Sequence, residues 1–481
     1  MTRAREKAKS LQSPRGTHDI LPAEQPLWEK VRSSIRQLSA FYGFMRIDTP
    51  HFEDTDLFTI GVGRSTDIVS KQMYSFKTRG GDALTLRPEG TAPAVRSYVE
   101  HGMVNEPQPV KLYYAGSFFR HESPQRGRFR EFNQWGLELI GEGNAVADAQ
   151  IIIIFYLFLQ EWGLKDAMVE VNSVGCPACR PAYRGQLTQY YRAKARSLCR
   201  DCKERFRDNP LRLLDCTEEK CVMMKKSAPQ LLDRLCEACR GHFKLVLEFL
   251  EEAGVPYALN PHLVRGLDYY TRTVFETFLP AVISKPVSAP DASVAAPDAP
   301  ILSPTGSLQA GSPTLRDATT STVKSAAPAA EETPKKLAVV SGGRYDGLIE
   351  LVGGRPTPAV GGAMGLERLV QLIRERSSHK VPDPAKSKVF LVQLGDLARK
   401  KSFRMMEDLR HAGISMAESL GRDSIRSQLK IADRLGAEYA LIIGQKEALD
   451  SMVIVREMSS GIQETLSRDR LVETLKRKLK R

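Results

Sequence analysis

The sequence predicts a mixed α+β chain with a cysteine-bearing insertion and a separate α/β domain at its C-terminal end. Hydrophobic residues make up 42% of the 481 residues, so the chain can form more than one buried core. All eight cysteines lie between Cys176 and Cys239, which sets this segment apart from the rest. Strand-like and helix-like segments alternate after Val389, a pattern typical of α/β domains.

The first part of the chain mixes helices and strands. Trp28–Tyr42 has apolar residues at helical spacing and predicts an amphipathic helix. Three strand patterns follow, and a continuous apolar segment before Gly163 predicts a buried helix. The predicted strands are Leu112–Phe119, Phe129–Ile140 and Val264–Phe278, and the buried helix is Ala147–Glu161.

A composition break occurs at Ala281–Lys336. Half of these residues are Pro, Ala or Ser, and the segment contains no aromatic residue and no cysteine. Such a segment cannot bury enough apolar surface to offset the conformational entropy lost on folding. We therefore expect a disordered loop between the strand-like segments Tyr269–Phe278 and Leu337–Val340.

A polar stretch with two prolines, Ser377–Lys388, ends the first part of the chain. The alternation beyond it predicts a small domain with a mostly parallel sheet. Its predicted strands are Val389–Leu394, Ile414–Ala417, Tyr439–Ile443 and Met452–Glu457, and its predicted helices are Ala398–His411, Ile425–Leu435 and Leu471–Leu479.

The charge of the chain is unevenly distributed. In total, 70 Lys and Arg residues against 57 Asp and Glu residues give a net charge of +13. Between Lys386 and Arg481 there are 20 basic and 13 acidic residues. This excess favours a polyanionic partner such as nucleic acid, although a solvated helix end at Lys476–Arg481 is the alternative.

Neither a membrane span nor a signal peptide is expected. The longest unbroken apolar run, Ile151–Leu159, is far shorter than the about 20 residues that a membrane-spanning helix needs. The opening residues Met1–Lys9 are basic and polar, unlike a secretory signal peptide. We therefore expect a cytoplasmic protein that has no membrane partner.

The cysteines form four closely spaced pairs. Short turns of this kind present two thiolates to one tetrahedral ion, so four pairs could build two structural zinc sites. Reduced thiols without a metal are one alternative, and disulfides are another, although disulfides are rare in the cytosol. The spacing leaves open how the pairs combine. They are Cys176-x2-Cys179, Cys199-x2-Cys202, Cys216-x4-Cys221 and Cys236-x2-Cys239.

Arginine, glutamate and glycine recur together in strand-like contexts. A planar guanidinium offers two donors to a phosphate, and glycine lets the backbone approach a ligand closely. The sequence has neither a Walker A motif nor a Rossmann fingerprint after a first strand, so it indicates a phosphate site built from strand arginines. The segments are Phe119–Glu122, followed by Gln134 and Glu138, then Arg265–Tyr270, Gly342–Gly347 and Gly361–Arg368.

In this order the segments resemble the class II aminoacyl-tRNA synthetases, and among them the bacterial-type histidyl-tRNA synthetases. The resemblance covers nearly the whole chain outside Ala281–Lys336. Arg15–Asp19 is similar to the family's opening signature, Gly43–Glu53 to motif 1, Phe119–Phe132 to motif 2, Gly361–Arg368 to motif 3, and Arg265–Glu276 and Gly342–Gly347 to two signatures of the histidine enzymes.

The resemblance implies a catalytic domain with an antiparallel sheet flanked by helices, a mostly helical insertion and a C-terminal anticodon-binding domain. It also implies a homodimer, because motif 1 forms the dimer interface in that family. The implied boundaries are residues 1–171 and then 259–280 with 337–378 for the catalytic domain, 172–258 for the cysteine-bearing insertion, 281–336 for the disordered insertion and 386–481 for the anticodon-binding domain.

The implied activity has two steps. L-histidine reacts with ATP, whose pyrophosphate portion carries Mg²⁺, to give histidyl-adenylate and pyrophosphate. The histidyl group then passes to the terminal adenosine of tRNA(His). Because the attacking group is already a carboxylate, the resemblance points to fixed cations rather than to a strong base as the catalytic groups.

The resemblance also implies a role for individual residues. Arg120 and Arg265 would flank the α-phosphate as catalytic residues. A carboxylate opposite a phenol, Glu138 opposite Tyr270, could satisfy both nitrogens of a neutral imidazole. The implied ATP-binding residues are Arg120, Glu122, Arg128, Phe132 and Arg368, and the implied histidine-binding residues are Glu89, Thr91, Gln134, Glu138, Tyr269, Tyr270 and Tyr345.

Two other functions compete with this interpretation. A synthetase paralogue without charging activity could be a regulatory subunit in histidine biosynthesis. Such relatives lack the C-terminal domain and have lost arginines, whereas Arg120, Arg265 and Arg368 are all present here. A zinc-dependent nucleic-acid-binding module would explain the charge and the cysteines but not the arginine and glycine segments.

Overall fold

The structure, a computed structural model, describes residues 11–64, 66–123, 127–280, 337–376, 387–420 and 424–479. The loop expected at 281–336 lies outside these residues. Contacts group the chain into two units, one of Met1–Asp19 with Val31–His379 and one of Ile20–Lys30 with Lys380–Arg481. The cysteine-bearing insertion is part of the first unit.

Up to Arg376 the described residues contain eleven strands and ten α-helices. The strands are β1 (Met45–Arg46), β2 (Phe52–Asp54), β3 (Tyr74–Lys77), β4 (Ala83–Leu86), β5 (Val110–Phe119), β6 (Glu131–Ile140), β7 (Met168–Ser173), β8 (Tyr257–Leu259), β9 (Thr271–Leu279), β10 (Leu337–Arg344) and β11 (Ala359–Gly365). The helices are α1 (Gln25–Phe41), α2 (Thr55–Phe58), α3 (Thr91–Glu100), α4 (Ala145–Glu161), α5 (Arg180–Arg192), α6 (Arg200–Asp208), α7 (Glu219–Lys225), α8 (Glu237–Glu252), α9 (Leu348–Leu351) and α10 (Leu366–Arg376).

An eight-stranded sheet forms the centre of the first unit, in the order β1-β5-β6-β11-β10-β9-β7-β8. The six central strands pair antiparallel, and β1 and β8 pair parallel at the two edges. Strands β2, β4 and β3 form a separate small sheet. The antiparallel sheet with flanking helices is thus confirmed, as is the mostly helical insertion, which contains α5 to α8 between β7 and β8.

Helix α4 packs against the sheet and anchors the strand β6 that carries much of the site. Its sequence is apolar on every side, which is typical of a fully buried helix, and Ile151 and Phe155 are completely buried. The ring centroid of Trp135 on β6 lies 4.9 Å from that of Phe155 and 4.8 Å from that of Phe158. These aromatic contacts hold β6 against the core.

The strand predicted over Val264–Phe278 is wrong in its first half, whereas the other predicted elements of this unit agree apart from their ends. Strand β9 begins only at Thr271. The preceding residues form a loop because their backbone bonds elsewhere, as Asp268 N donates to Val62 O over 3.0 Å. Arg272 then has a φ of 49°, a conformation that is uncommon outside glycine.

The second unit contains β12 (Val389–Gln393), β13 (Met416–Glu418), β14 (Tyr439–Ile443), β15 (Met452–Glu457), β16 (Gln463–Ser467), α11 (Asp396–His411), α12 (Ile425–Leu435), α13 (Gln445–Asp450) and α14 (Arg468–Leu479). The α/β domain is confirmed, but the mostly parallel sheet is wrong. The strand order is β13-β12-β14-β15-β16. Strand β12 pairs parallel with β13 and β14, whereas β15 pairs antiparallel with β14 and β16. The connection from β15 to β16 is too short for the crossover that a parallel pair needs.

Within the described ranges, no helix is both long and apolar enough to cross a membrane.

Candidate active site

A buried carboxylate, Glu138 on β6, lies at the centre of a hydrogen-bond network. Its side chain is fully buried. Tyr345 OH donates to Glu138 Oε2 over 2.5 Å, and Thr91 Oγ1 donates to Oε1 over 2.8 Å. Tyr114 OH donates to the same Oε1 over 3.1 Å. Three hydroxyls from different elements therefore fix the orientation of this carboxylate.

Glycines on neighbouring strands make room for these large side chains. Gly361 on β11 lies directly opposite Glu138, and a β-carbon there would overlap Glu138 Oε2. Gly136 on β6 lies opposite Tyr114 on β5, and a β-carbon there would overlap the Tyr114 ring. The glycine-rich character of these strands thus serves side-chain packing within the site.

Burial, helped by the neighbouring Glu89, raises the pKa of Glu138 to about 8, although hydrogen bonds from the three hydroxyls oppose this shift. Burial also raises the pKa of Glu89, while the hydrogen bonds that Glu89 accepts from backbone N–H groups lower this pKa. The two carboxyls are therefore held in a region where a positively charged or hydrogen-bond-donating ligand would be favoured.

Glu89 and Thr91 join this network to the start of helix α3. Glu89 accepts from Thr91 N and Ala92 N, each over 2.8 Å, and so caps the helix. Tyr269 OH donates to Glu89 Oε2 over 3.3 Å. The structure therefore brings the predicted histidine-binding residues Glu89, Thr91 and Glu138 together and gives Glu89 a helix-capping role that the sequence did not indicate.

Aromatic rings form one side of this region. The ring centroid of Tyr269 lies 4.8 Å from that of Tyr270 and 5.8 Å from that of Tyr345. All three residues are buried. A planar polar ligand would thus find aromatic faces and carboxylate oxygens in close proximity.

A cavity of about 250 Å³ holds the predicted phosphate-binding residues. Every predicted ATP-binding residue lines it, together with Gln134 and Arg265. The charged, aromatic and amide side chains that line the cavity include Arg120, Glu122, Arg128, Phe132, Gln134, Arg265, Glu276, Glu367 and Arg368. Four arginines and three glutamates around one space can hold a polyanion while keeping the empty site nearly neutral.

Arg120 at the end of β5 is fixed at one edge of the cavity. Its Nε donates to Pro88 O over 2.8 Å, and its Cζ lies 5.3 Å from the Phe132 ring centroid. Burial lowers the pKa of Arg120, and Glu122, whose carboxylate lies 3.9 Å away, opposes this shift. A buried guanidinium of this kind is a strong donor to an anion, because little solvent competes with it.

Arg128 and Arg368 line the same cavity. Arg368 donates to Ala338 O, and burial lowers its pKa to about 10, with nearby Arg128 acting in the same direction. Arg128 is half exposed and lies 3.6 Å from the Glu122 carboxylate. Two neighbouring guanidiniums that destabilise one another favour a bound anion between them.

Arg265 lies in the loop before β9 and forms an ion pair with Glu276 on that strand. Both side chains are mostly buried and line the cavity. The pair holds the guanidinium in place while the site is empty. A phosphate that entered the cavity would compete with Glu276 for Arg265.

Three functional residues were not singled out from the sequence. Glu276 and Glu367 lie inside the signature segments, but their spacing gave no sign that they line the cavity. Glu367 accepts from Asn133 N over 2.7 Å, which ties helix α10 to β6. Tyr114 carried no signal of its own, because an aromatic residue in a strand is usually a core residue.

The cysteines form two groups of four. In the first group, Cys176 Sγ lies 3.6 Å from Cys179 Sγ and 3.9 Å from Cys236 Sγ. In the second, Cys199 Sγ lies 3.8 Å from Cys216 Sγ. The groups are Cys176, Cys179, Cys236 and Cys239, and Cys199, Cys202, Cys216 and Cys221; in each, all sulfurs lie within 4.8 Å of one another. All eight cysteines are free, so the structure contains none of the disulfides that the sequence left open as an alternative.

Two family models match long parts of the chain. A family model described as "Histidyl-tRNA synthetase" matches residues 16–288, and one described as "Anticodon binding domain" matches residues 388–478. The first model therefore covers more than half of the chain and includes motif 2 and the Arg265 segment.

Relatives match nearly the whole chain. The histidine–tRNA ligase of Dehalococcoides mccartyi (strain ATCC BAA-2266 / KCTC 15142 / 195) is 41% identical and covers 97% of this chain and 100% of its own length. That of Caldicellulosiruptor saccharolyticus is 40% identical, with 98% and 100% covered. The apo histidyl-tRNA synthetase of S. aureus superposes with a TM-score of 0.69 at 32% identity, with 97% of this chain and 100% of that chain covered.

Proposed function

This chain belongs to the histidyl-tRNA synthetase family, and from this premise we propose that it activates L-histidine with ATP and transfers it to tRNA(His). It is a class II aminoacyl-tRNA synthetase and a histidine–tRNA ligase. The observation that carries the proposal is the position of the buried Glu138 network beside a cavity lined by four arginines. One part suits a small polar ring, and the other suits a triphosphate.

In the first step, a carboxylate oxygen of histidine attacks the α-phosphorus of ATP, and the bond from this phosphorus to the pyrophosphate oxygen breaks. Negative charge increases on the α-phosphoryl oxygens in the transition state. Arg120 and Arg265 would stabilise this charge as fixed cations, a contribution of roughly 3–4 kcal/mol per donor in comparable sites. Since Arg265 is paired with Glu276 in the empty site, the nucleotide would release it from that partner.

ATP would occupy the cavity. Phe132 would stack on the purine and Glu122 would accept a hydrogen bond from its amino group, while Arg128 and Arg368 would hold the outer phosphates. The carboxylates of Glu276 and Glu367 line the same space and provide the oxygen ligands that Mg²⁺ prefers. Bound there, Mg²⁺ would offset charge on the pyrophosphate portion.

L-histidine would bind beside the carboxylates. Glu89, Thr91 and Gln134 would bind its ammonium group. Glu138 would accept from one imidazole nitrogen and Tyr270 would donate to the other, because a neutral imidazole has one donor and one acceptor. Tyr269 and Tyr345 would enclose the ring. An apolar side chain of similar size would leave these buried groups unpaired, which rejects it strongly.

In the second step, a hydroxyl of the terminal adenosine of tRNA attacks the histidyl carbonyl and AMP leaves. Residues 388–478, which match the anticodon-binding model, would bind the anticodon of tRNA(His). Their basic excess suits a phosphate backbone. We further propose that the protein acts as a cytoplasmic homodimer and that each cysteine group binds one structural Zn²⁺.

Charging of a tRNA(His) transcript with labelled histidine tests the proposal. The expected result is ATP-dependent incorporation of histidine into the tRNA(His) transcript. A matching transcript with another anticodon and another discriminator base should not be charged. A chain that binds histidine and ATP but never charges tRNA would instead fit the regulatory paralogue. The full complement of Arg120, Arg265 and Arg368 and the C-terminal unit favour the enzyme.

A further inference from the structure

The two cysteine groups are nested along the chain. The outer group joins the first pair to the fourth, and the inner group joins the second pair to the third. A tetrahedral ion with zinc–sulfur bonds of about 2.3 Å places its sulfurs about 3.8 Å apart. Three sulfur pairs, at 3.6, 3.8 and 3.9 Å, match this edge length, and all sulfurs of each group lie within 4.8 Å of one another. Both groups are therefore preorganised for a tetrahedral thiophilic ion.

The segment that carries Cys176 and Cys179 contacts the loop that holds the predicted histidine-binding residues Tyr269 and Tyr270. Arg180 follows Cys179 at the start of α5, and its guanidinium donates to Tyr270 O and, over 3.1 Å, to Val174 O. The same side chain interacts electrostatically with Cys176, Cys179 and Cys239. Arg180 thus links the segment that carries Cys176 and Cys179 to the Tyr270 backbone.

Backbone hydrogen bonds reinforce this link. Val174 N donates to Arg272 O over 2.7 Å, and Arg272 N donates to Gly175 O over 2.9 Å. Gly175 immediately precedes Cys176. The turn that presents the first cysteine therefore also holds Arg272 in its uncommon backbone conformation, two residues after Tyr270.

The segment between Cys202 and Cys216 contacts the same loop at another point. Asn209 lies between Cys202 and Cys216, and its Nδ2 donates to Asp268 Oδ1 over 3.1 Å. Arg205, from the same segment, donates to Asp67 Oδ2 over 2.6 Å. The loop before β9 is therefore contacted at Asp268 and at Tyr270 by residues that lie close in sequence to the cysteines of the two groups.

We propose that each group holds one zinc ion and that the outer zinc site positions the histidine pocket through Arg180, acting on the Tyr270 backbone. This inference rests on the proposed function, since it assigns the effect to histidine binding. Arg180 touches no reacting atom and is a positioning residue. The zinc ions take no part in either chemical step.

Metal content is tested on the full chain purified without chelator. The expected result is two zinc ions per chain by plasma mass spectrometry, with no thiol titrated until the metal is released. Replacement by Co²⁺ should give the visible absorption of a tetrahedral cobalt thiolate. Any zinc count other than two, or eight freely titratable thiols, would overturn the metal assignment.

The positioning role is tested with Arg180→Ala, which keeps every sulfur. We expect the KM for histidine in ATP–pyrophosphate exchange to rise about tenfold or more, because a small displacement of Tyr270 misplaces a binding group, while the KM for ATP and the zinc content stay unchanged. Arg180→Lys should recover part of the loss. Arg192→Ala, an exposed arginine at the end of the same helix, is the matched control and should behave as wild type.

Two results would overturn the positioning role: an unchanged KM for histidine in Arg180→Ala, or an equal rise in both KM values. A wild-type chain without histidine-dependent exchange would instead contradict the proposed function, whatever its zinc content. The two failures are therefore distinguishable.

Discussion

Gly361 lies directly opposite Glu138 across strands β11 and β6, and a β-carbon on Gly361 would overlap a carboxylate oxygen of Glu138. Gly361→Ala should therefore displace this carboxylate from its three hydroxyl donors. We expect the KM for histidine in pyrophosphate exchange to rise about tenfold or more, since the pocket loses its polar match, with a smaller change in the KM for ATP.

The matched control for that substitution is Gly185→Ala, because a β-carbon at this position in helix α5 meets open space. It should leave exchange unchanged and slightly raise stability, as alanine does in a helix. If both variants had the same KM for histidine, the packing of Gly361 against Glu138 would have no role in recognition.

The pH dependence of stability tests the burial of Glu138. Burial raises its pKa to about 8, so the folded protein holds this proton more tightly than the unfolded chain does. The contribution to stability is complete below the unfolded pKa of about 4.3 and is lost as the pH rises through the folded value. Relative to Glu138→Gln, the free energy of unfolding of the wild type should fall by up to about 1.4 kcal/mol per pH unit in this window.

Denaturant unfolding of both proteins from about pH 5 to about pH 8 provides the measurement. This range lies between the pKa of Glu138 in the unfolded chain and its pKa in the folded protein. Taking the difference between the two proteins removes the other titrating groups. A difference that stays constant across the range would show that Glu138 titrates normally.

Arg265→Ala tests the fixed cation. The variant should keep its affinity for ATP and for histidine but lose adenylate formation by several orders of magnitude, because Arg265 would act mainly on charge formed in the transition state. Single-turnover formation of histidyl-adenylate is the measurement. Near-normal pyrophosphate exchange in this variant would refute the assignment.

Glu276→Gln is the companion variant for the same ion pair. It removes the carboxylate that Arg265 contacts in the empty site but keeps the guanidinium. Adenylate formation should decline far less than in Arg265→Ala. A loss of equal size would show that the Glu276 carboxylate, through the ion pair or through Mg²⁺, matters as much as the Arg265 cation.

Removal of the residues after Lys386 tests the basic C-terminal unit. Its charge excess and its match to an anticodon-binding model predict that tRNA charging falls much more than histidine-dependent pyrophosphate exchange. Both rates are measured on the same preparation. Equal loss of the two activities would contradict a role confined to tRNA.

Much of the site was predictable because its residues lie in short local patterns. Arg120 and Glu122 follow one strand, and Arg368 opens a helix, so their spacing along the chain already marks them. The order of these patterns, more than any one of them, identified the family. The structure adds that Arg120, Arg368 and Arg265 line one cavity.

Other features depend on contacts between distant parts of the chain. The register that puts Gly361 opposite Glu138 joins two strands separated by the whole insertion, and no local pattern encodes it. No local pattern encodes the nested combination of the four cysteine pairs either. Loop-closure entropy changes only slowly with loop length, so it does not favour one combination of pairs over another. The pattern before β9 predicts a strand because it is rich in apolar and aromatic residues. These residues are buried or half-buried by packing, but their backbone pairs with no other strand.

Histidine-dependent ATP–pyrophosphate exchange by the purified full-length chain in the presence of Mg²⁺ tests the proposed function most directly. Each standard amino acid is supplied in turn, with Arg265→Ala as the inactive comparison. Exchange with L-histidine well above that with every other amino acid is the predicted result. No exchange, or a preference for another amino acid, would contradict it.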